Sequence, residues 1–149
     1  VFMMPPGGRG STYRYIGADA RATSDGWETL GDLGYLDGDG FLYLVDRRTD
    51  LIVTGGANVY PAEVEAALEA HPRVRSCAVI GLPDPDLGQR VHAIVEAEPP
   101  IGDAELGEHL ARHLARGKHP RSYEYVDTPL RDEAGKVRRS ALREARMPR

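Results

Sequence analysis

Apolar residues fall along this chain in two rhythms. From Trp27 onward, "GYL" and "FLYLV" are short β-rich runs parted by Asp37-Gly38-Asp39-Gly40. Aspartate-glycine pairs favour positive φ and tight reversals, so Trp27 to Val45 is expected to form a small antiparallel unit. "DLIVTGG" reads as a further strand stopped by Gly55 and Gly56, whose missing side chains allow a bulge, a turn or close approach by a ligand. The rhythm then changes in "ANVYPAEVEAALEAHP". Pro61 suits the first helical turn, Glu63 and Glu65 suit the positive end of the helix dipole, Val64, Ala67 and Leu68 form one apolar stripe, and His71-Pro72 ends the helix. "RSCAVIGLP" and "VHAIVEAE" predict a looped antiparallel pair joined by "DPDLGQR". "DAELGEHLARHLA" predicts a second helix, capped by Asp103, with Leu106, Leu110 and Leu114 on one face. "SYEYVDTPL" predicts a short strand and "KVRRSALREAR" a last helix.

This order describes an α+β domain of roughly 100 residues after Asp46, with short antiparallel sheets and about three helices. At 149 residues the chain can bury one ordinary core and is too short for two large ones. It begins at "VFMMPPGGRGSTYRYIG", where Gly7, Gly8 and Gly10 after two prolines read as an irregular connection and the whole as an interior starting point of a longer chain.

Composition narrows the function. No apolar run reaches the roughly 18 residues of a membrane span, and no signal-like start precedes the fold. One cysteine, Cys77, excludes an intrachain disulfide and a four-cysteine zinc site, which makes a cytoplasmic setting the expectation; Cys77 reads as a small buried hydrophobe. A formal charge of −4 argues against a nucleic-acid surface. His92, His109 and His113 are not spaced for a metal site, and His109 with His113 reads as a surface pair, so no metal site is expected within this chain. Arg138, Arg139, Arg143 and Arg146 read as a solvated basic helix face, with contact to ligand phosphates as the alternative.

Three segments in order, "GDLGYLDGDGFLYLVDRRTDLIVTGGANVYPAEVEAAL", "AVIGLPDPDLGQRVHAIV" and "PLRDEAGKVRRSAL", resemble the adenylate-forming superfamily of acyl-CoA synthetases, peptide-synthetase adenylation domains and luciferases. The resemblance runs from about Gly26 to Arg143. It implies that residues 1–46 are the end of a large N-terminal ATP- and acid-binding domain, including its last hairpin, and that 47–149 are the small C-terminal lid domain. That family activates a carboxylic acid with ATP and Mg2+ as an acyl-adenylate and then passes the acyl group to coenzyme A. Neither a Ser/Thr/Gly-rich phosphate loop nor an acid pocket is present in this chain, so by itself it is expected to be inactive and to need the N-terminal domain as partner.

The resemblance also implies roles for particular residues. Lys136, which chemistry alone would read as a solvated surface lysine, matches the lysine that reaches the acid carboxylate and the α-phosphate, where negative charge builds as pyrophosphate leaves. Asp32, otherwise a turn-forming aspartate, matches the acceptor for the ribose hydroxyls of ATP or AMP; a carboxylate can accept both hydrogen bonds of a vicinal diol. Arg47, with Arg48 as its ambiguous neighbour, matches a nucleotide-binding arginine. Arg48 and Thr49 stand at the domain hinge, where the family carries aspartate or lysine and this chain threonine; Asp50 follows as a shifted alternative. Gly55 and Gly56 match the loop lining the pantetheine tunnel of coenzyme A, with an ordinary bulge before a helix as the alternative, and Glu63 is expected to hold this loop to the helix. A carrier-protein acceptor, or a stand-alone binding module, are the competing functions. The wording "GSTYRYIGA" and "GWETLGDLGYLDGDG" is similar to ligases of bile-acid, steroid-side-chain or other bulky acids, in steroid or fatty-acid metabolism.

Overall fold

Asp37 closes the hairpin that the alternating pattern predicts: its Oδ1 accepts the backbone N–H groups of Asp39 (3.0 Å) and Phe41 (2.9 Å). The computed structural model describes residues 1–4, 21–99 and 101–147, so Gly7, Gly8, Gly10 and the "GSTYRYIGA" segment lie outside the described residues. The chain divides into two units, Val1–Thr49 and Asp50–Arg149. In the first, β1 (Arg21–Ala22) and β2 (Glu28–Thr29) pair antiparallel, as do β3 (Asp32–Leu36) and β4 (Leu42–Arg47). Tyr35 and Tyr43 are register partners and stack with ring centroids 5.1 Å apart. An antiparallel pair with this alternation normally buries one face. Here Leu36, Phe41 and Leu44 are all more than 60% exposed, so the hairpin has no core of its own among the described residues.

The second unit holds one five-stranded sheet. β5 (Ile52–Thr54) and β6 (Ala57–Val59) form a hairpin, followed by α1 (Pro61–Glu69), β7 (Val74–Asp84), β8 (Gly88–Ala97), α2 (Asp103–Leu110), a single 3-10 turn at Arg116–Lys118, β9 (Ser122–Val126) and α3 (Arg139–Glu144). β7 and β8 pair along nearly their whole length. On the other side of β8, β5 joins at Gly88 and β9 from His92 to Glu96.

The α+β expectation holds, and five details differ. β9 runs parallel to β8, because the intervening α2 carries the chain back to start in the same direction; the sheet is mixed rather than purely antiparallel. Residues 57–59, expected to lead directly into the helix, pair with β5 first. β7 and β8 extend into the predicted connection and leave only 85–87 between them. The N-cap of α2 is Gly102, without a side-chain cap, while Asp103 Oδ1 accepts a hydrogen bond from the Tyr125 hydroxyl at 2.8 Å. Finally, α2 stops at Leu110, one turn short of Leu114.

The core explains the continuous apolar run of β7. Cys77 and Val79 face α1 and α2 in a cluster with Ile52, Val64, Leu68, Leu106 and Leu110, whereas Ile80 and Leu82 face the other side with Ile94 and the partly buried Leu142 of α3. A strand covered on both faces cannot alternate apolar with polar. Complete burial of a leucine such as Leu68 is worth about 1.5–3 kcal/mol relative to exposure, enough for the stripe of α1 to set which way that helix turns.

Candidate functional site

Lys136 sits in a turn whose shape is set by its own residues. Asp132 Oδ1 accepts the N–H groups of Ala134 (3.0 Å) and Lys136 (2.9 Å), and the Gly135 N–H donates to the Asp132 carbonyl at 2.8 Å. The Lys136 N–H, together with that of Ala134, holds the Asp132 carboxyl below its ordinary range. Gly135 has φ +72°, a conformation that side chains resist, so glycine is required immediately before the lysine. Lys136 is exposed, and among the described residues its ammonium makes no ion pair within 4 Å. It borders an open pocket of about 330 Å3 with Leu130, Arg131, Asp132, Arg138 and Leu142.

Asp32 and Arg47 lie in the first unit. They are register partners at the open end of the hairpin, with Arg47 Nε 3.6 Å from Asp32 Oδ1, a distance that is an ion pair without being a hydrogen bond. Among the described residues the carboxylate therefore keeps its acceptor capacity. Its neighbour Arg48 is exposed and donates its backbone N–H to the Gly31 carbonyl at 2.8 Å. Asp46 Oδ1 accepts the Arg47 N–H at 2.8 Å. Thr49 is the last residue of the first unit and Asp50 the first of the second.

Gly55 and Gly56 form the turn between β5 and β6, at φ +55° and +81°. The Gly55 N–H donates to the Leu87 carbonyl at 3.0 Å, and a Cβ at Gly55 would stand 3.2 Å from the Leu87 side chain, whereas one at Gly56 would meet open space. Of the bulge, turn or ligand approach that these glycines allow, the structure shows a turn, with open space at the Gly56 Cβ position.

Several side chains do something other than what their spacing suggests. Glu63 pairs with Lys118 at 2.6 Å rather than holding the glycine turn, because the 3-10 turn after α2 brings that lysine against α1. His109 is buried, not on the surface: its Nε2 lies 2.8 Å from the Ala67 carbonyl, and its ring is edge-on to His71. His92 is also buried, with Nδ1 2.8 Å from Ser122 Oγ. Cys77, by contrast, is the small buried hydrophobe that its surroundings predict, and burial pushes its thiol up. Arg139 and Arg146 do not form a solvated face. Arg146 binds both oxygens of Glu124 at 2.6 Å, holding that carboxyl down, and Arg139 binds Glu65.

Glu65 is the residue that sequence reasoning placed at the dipole and the structure places in the interior. Its Oε1 accepts the Val79 N–H at 2.8 Å while its carboxylate also receives Arg139. The signal was present: Glu65 lies four residues after Pro61 and three before Leu68, within the buried stripe. A carboxylate on that stripe requires a partner.

Comparison with known proteins agrees with this fold. The profile of the AMP-binding enzyme C-terminal domain matches residues 63–136. The chain is 44% identical over 125 residues to a 2-succinylbenzoate–CoA ligase of Bacillus licheniformis, covering 84% of this chain and 26% of that one. It is 42% identical over 127 residues to the fatty acid–[acyl-carrier-protein] ligase ScoC of Streptomyces coeruleorubidus, covering 84% and 24%. Among solved structures, the o-succinylbenzoate CoA synthetase of Bacillus subtilis in complex with its acyl-adenylate intermediate superposes with a TM-score of 0.75 at 41% identity, over 86% of this chain and 26% of that one. The chain thus spans about a quarter of the length of the curated relatives it matches. None of these three names a steroid or bile acid. With fold, order of segments and similarity in agreement, the chain belongs to the adenylate-forming superfamily and carries its AMP-binding enzyme C-terminal domain.

Proposed function

We propose that this chain is the C-terminal part of an AMP-forming acid–CoA ligase, with residues 1–46 ending the large N-terminal domain and 47–149 forming the lid. The observation that carries the reading is the Lys136 ammonium, exposed and, among the described residues, unpaired on a turn fixed by Asp132 and Gly135. The exposed apolar residues of the β3–β4 hairpin support it, since such a hairpin needs a covering body of protein. The residues fit the nucleotide: a carboxylate with acceptors to spare, an arginine beside it and, elsewhere in the chain, an exposed lysine. ATP with Mg2+, when bound, supplies the phosphoryl group that the acid attacks as pyrophosphate departs.

Within that reaction, Asp32 accepts the ribose hydroxyls, Arg47 adds positive charge beside them, and Lys136 stabilises the charge that builds during adenylate formation. Rotation at Arg48–Thr49 then withdraws Lys136 and brings the Gly55–Gly56 turn, open at Gly56, to the pantetheine arm of coenzyme A. The acid is a small carboxylic acid, the setting is cytoplasmic, and no helix among the described residues is long and apolar enough to cross a membrane. In the complete enzyme, Lys136→Ala should slow adenylate formation by about 10^2–10^3 while sparing thioester formation from supplied acyl-adenylate. Equal loss of both steps would overturn the assignment. Similarity to a carrier-protein ligase gives a second acceptor to test, so coenzyme A and a phosphopantetheinylated carrier should be compared side by side.

A further inference from the structure

Two arginines tie the ends of the Lys136 turn to one helix. After the lysine, Arg139 donates from Nε to Glu65 Oε1 (3.1 Å) and from Nη2 to Glu65 Oε2 (2.5 Å). Its Nη1 reaches Asp50 Oδ2 at 3.3 Å. Before the lysine, Arg131 donates from Nη2 to Glu69 Oε1 (3.0 Å) and from Nη1 to the Gly135 carbonyl (3.2 Å). Glu65 and Glu69 are both on α1, four residues apart and therefore one helical turn apart on the same side.

The internal hydrogen bonds of the turn fix its shape but not its direction relative to the sheet. Lysine carries four rotatable bonds, and any swing of its backbone adds to that spread. Small misplacement of a charged group can cost a reaction about 10^2 in rate. A planar guanidinium with a bidentate carboxylate fixes direction as well as distance, which an ammonium does not. The contact to Asp50 adds a further consequence. Asp50 opens the unit directly after Thr49, so one guanidinium joins the end of the lysine turn, α1 and the segment that leaves the unit boundary.

We propose that Arg131 and Arg139 are positioning residues for Lys136, holding its turn at two points against Glu69 and Glu65 so that the lysine moves with the lid as one body. This rests on the reading of Lys136 as the residue serving adenylate formation. Neither arginine need touch substrate; they act through the turn.

The test uses the complete enzyme with Arg131→Ala, Glu69→Gln and Arg139→Lys, the last keeping the charge near buried Glu65 while removing the fork. Each variant should lower kcat for adenylate formation by about 10–100-fold, with KM for the acid and thioester formation from supplied acyl-adenylate changed less than about twofold. Deuterium uptake of the segment 131–138 should rise in all three, while the thermal midpoint of Arg131→Ala falls by no more than about 8 °C. If both half-reactions fall together, or uptake of the turn stays at the wild-type level, the positioning role is wrong. If Lys136→Ala spares adenylate formation while uptake still rises in these variants, the two-point tie stands and the role given to Lys136 fails.

Discussion

Arg139→Ala offers a stability test whose size follows from burial. The Arg139 and Glu65 side chains are 19% and 8% exposed, whereas the Arg131–Glu69 pair, one turn further along α1, is 41% and 38% exposed. Both pairs join an arginine to a glutamate of α1, but the Arg139 pair is bidentate and largely shut off from water while the Arg131 pair is a single bond in solvent. Removing Arg139 leaves a carboxylate inside the domain with, among the described residues, the Val79 N–H as its remaining hydrogen-bond donor, and breaking a buried pair in this way costs about 3–5 kcal/mol. Removing Arg131 leaves Glu69 in solvent, at a cost of about 0–1 kcal/mol. At roughly 4–8 °C per kcal/mol for a unit of this size, Arg139→Ala should lower the midpoint by at least about 12 °C. The double replacement Arg139→Met with Glu65→Leu should recover much of the loss, because the desolvation cost disappears, but not all of it: the Val79 N–H is then unsatisfied, at about 1–3 kcal/mol. Urea and thermal unfolding followed by circular dichroism would measure this, since the single tryptophan, Trp27, belongs to the other unit and is silent about this one. A loss below about 1 kcal/mol for Arg139→Ala, or an equal loss for Arg131→Ala, would refute the argument.

Two other outcomes follow. Burial holds His92 below its ordinary value of 6.5 despite the opposing Glu124, and burial shifts His109 the same way, so the unfolded chain binds more protons as pH falls below that value. Their contribution to stability is complete above about 6.5 and is lost as the pH drops through the lowered folded values, so the urea midpoint should fall between pH 7.5 and 5.5; a flat profile would contradict the burial of these rings. Gly56→Ala places a side chain in open space at φ +81°, adding about 1–2 kcal/mol of local backbone strain; it should slow thioester formation more than adenylate formation, and an unaltered thioester step would remove Gly56 from the proposed tunnel.

The chain by itself determined the features that depend on neighbours a few residues away. Asp37 closes a hairpin, Pro61 starts a helix, Gly55 and Gly56 reverse the chain, and Asp132 with Gly135 folds the turn beneath Lys136, all through bonds within four residues or through a backbone conformation that glycine tolerates. That is why three short segments sufficed to place the family. Tertiary structure decided whatever depends on which distant segments meet. β9 is parallel because α2 carries the chain back across the sheet; His109 is interior because α2 packs on α1; Glu65 and Arg139 meet across 74 positions. Sequence spacing tells which face of a helix a charge occupies, but only packing tells whether that face meets water or another charge. At Glu65 the local pattern showed a carboxylate on a buried stripe, and only the fold could supply the arginine that makes it tolerable there.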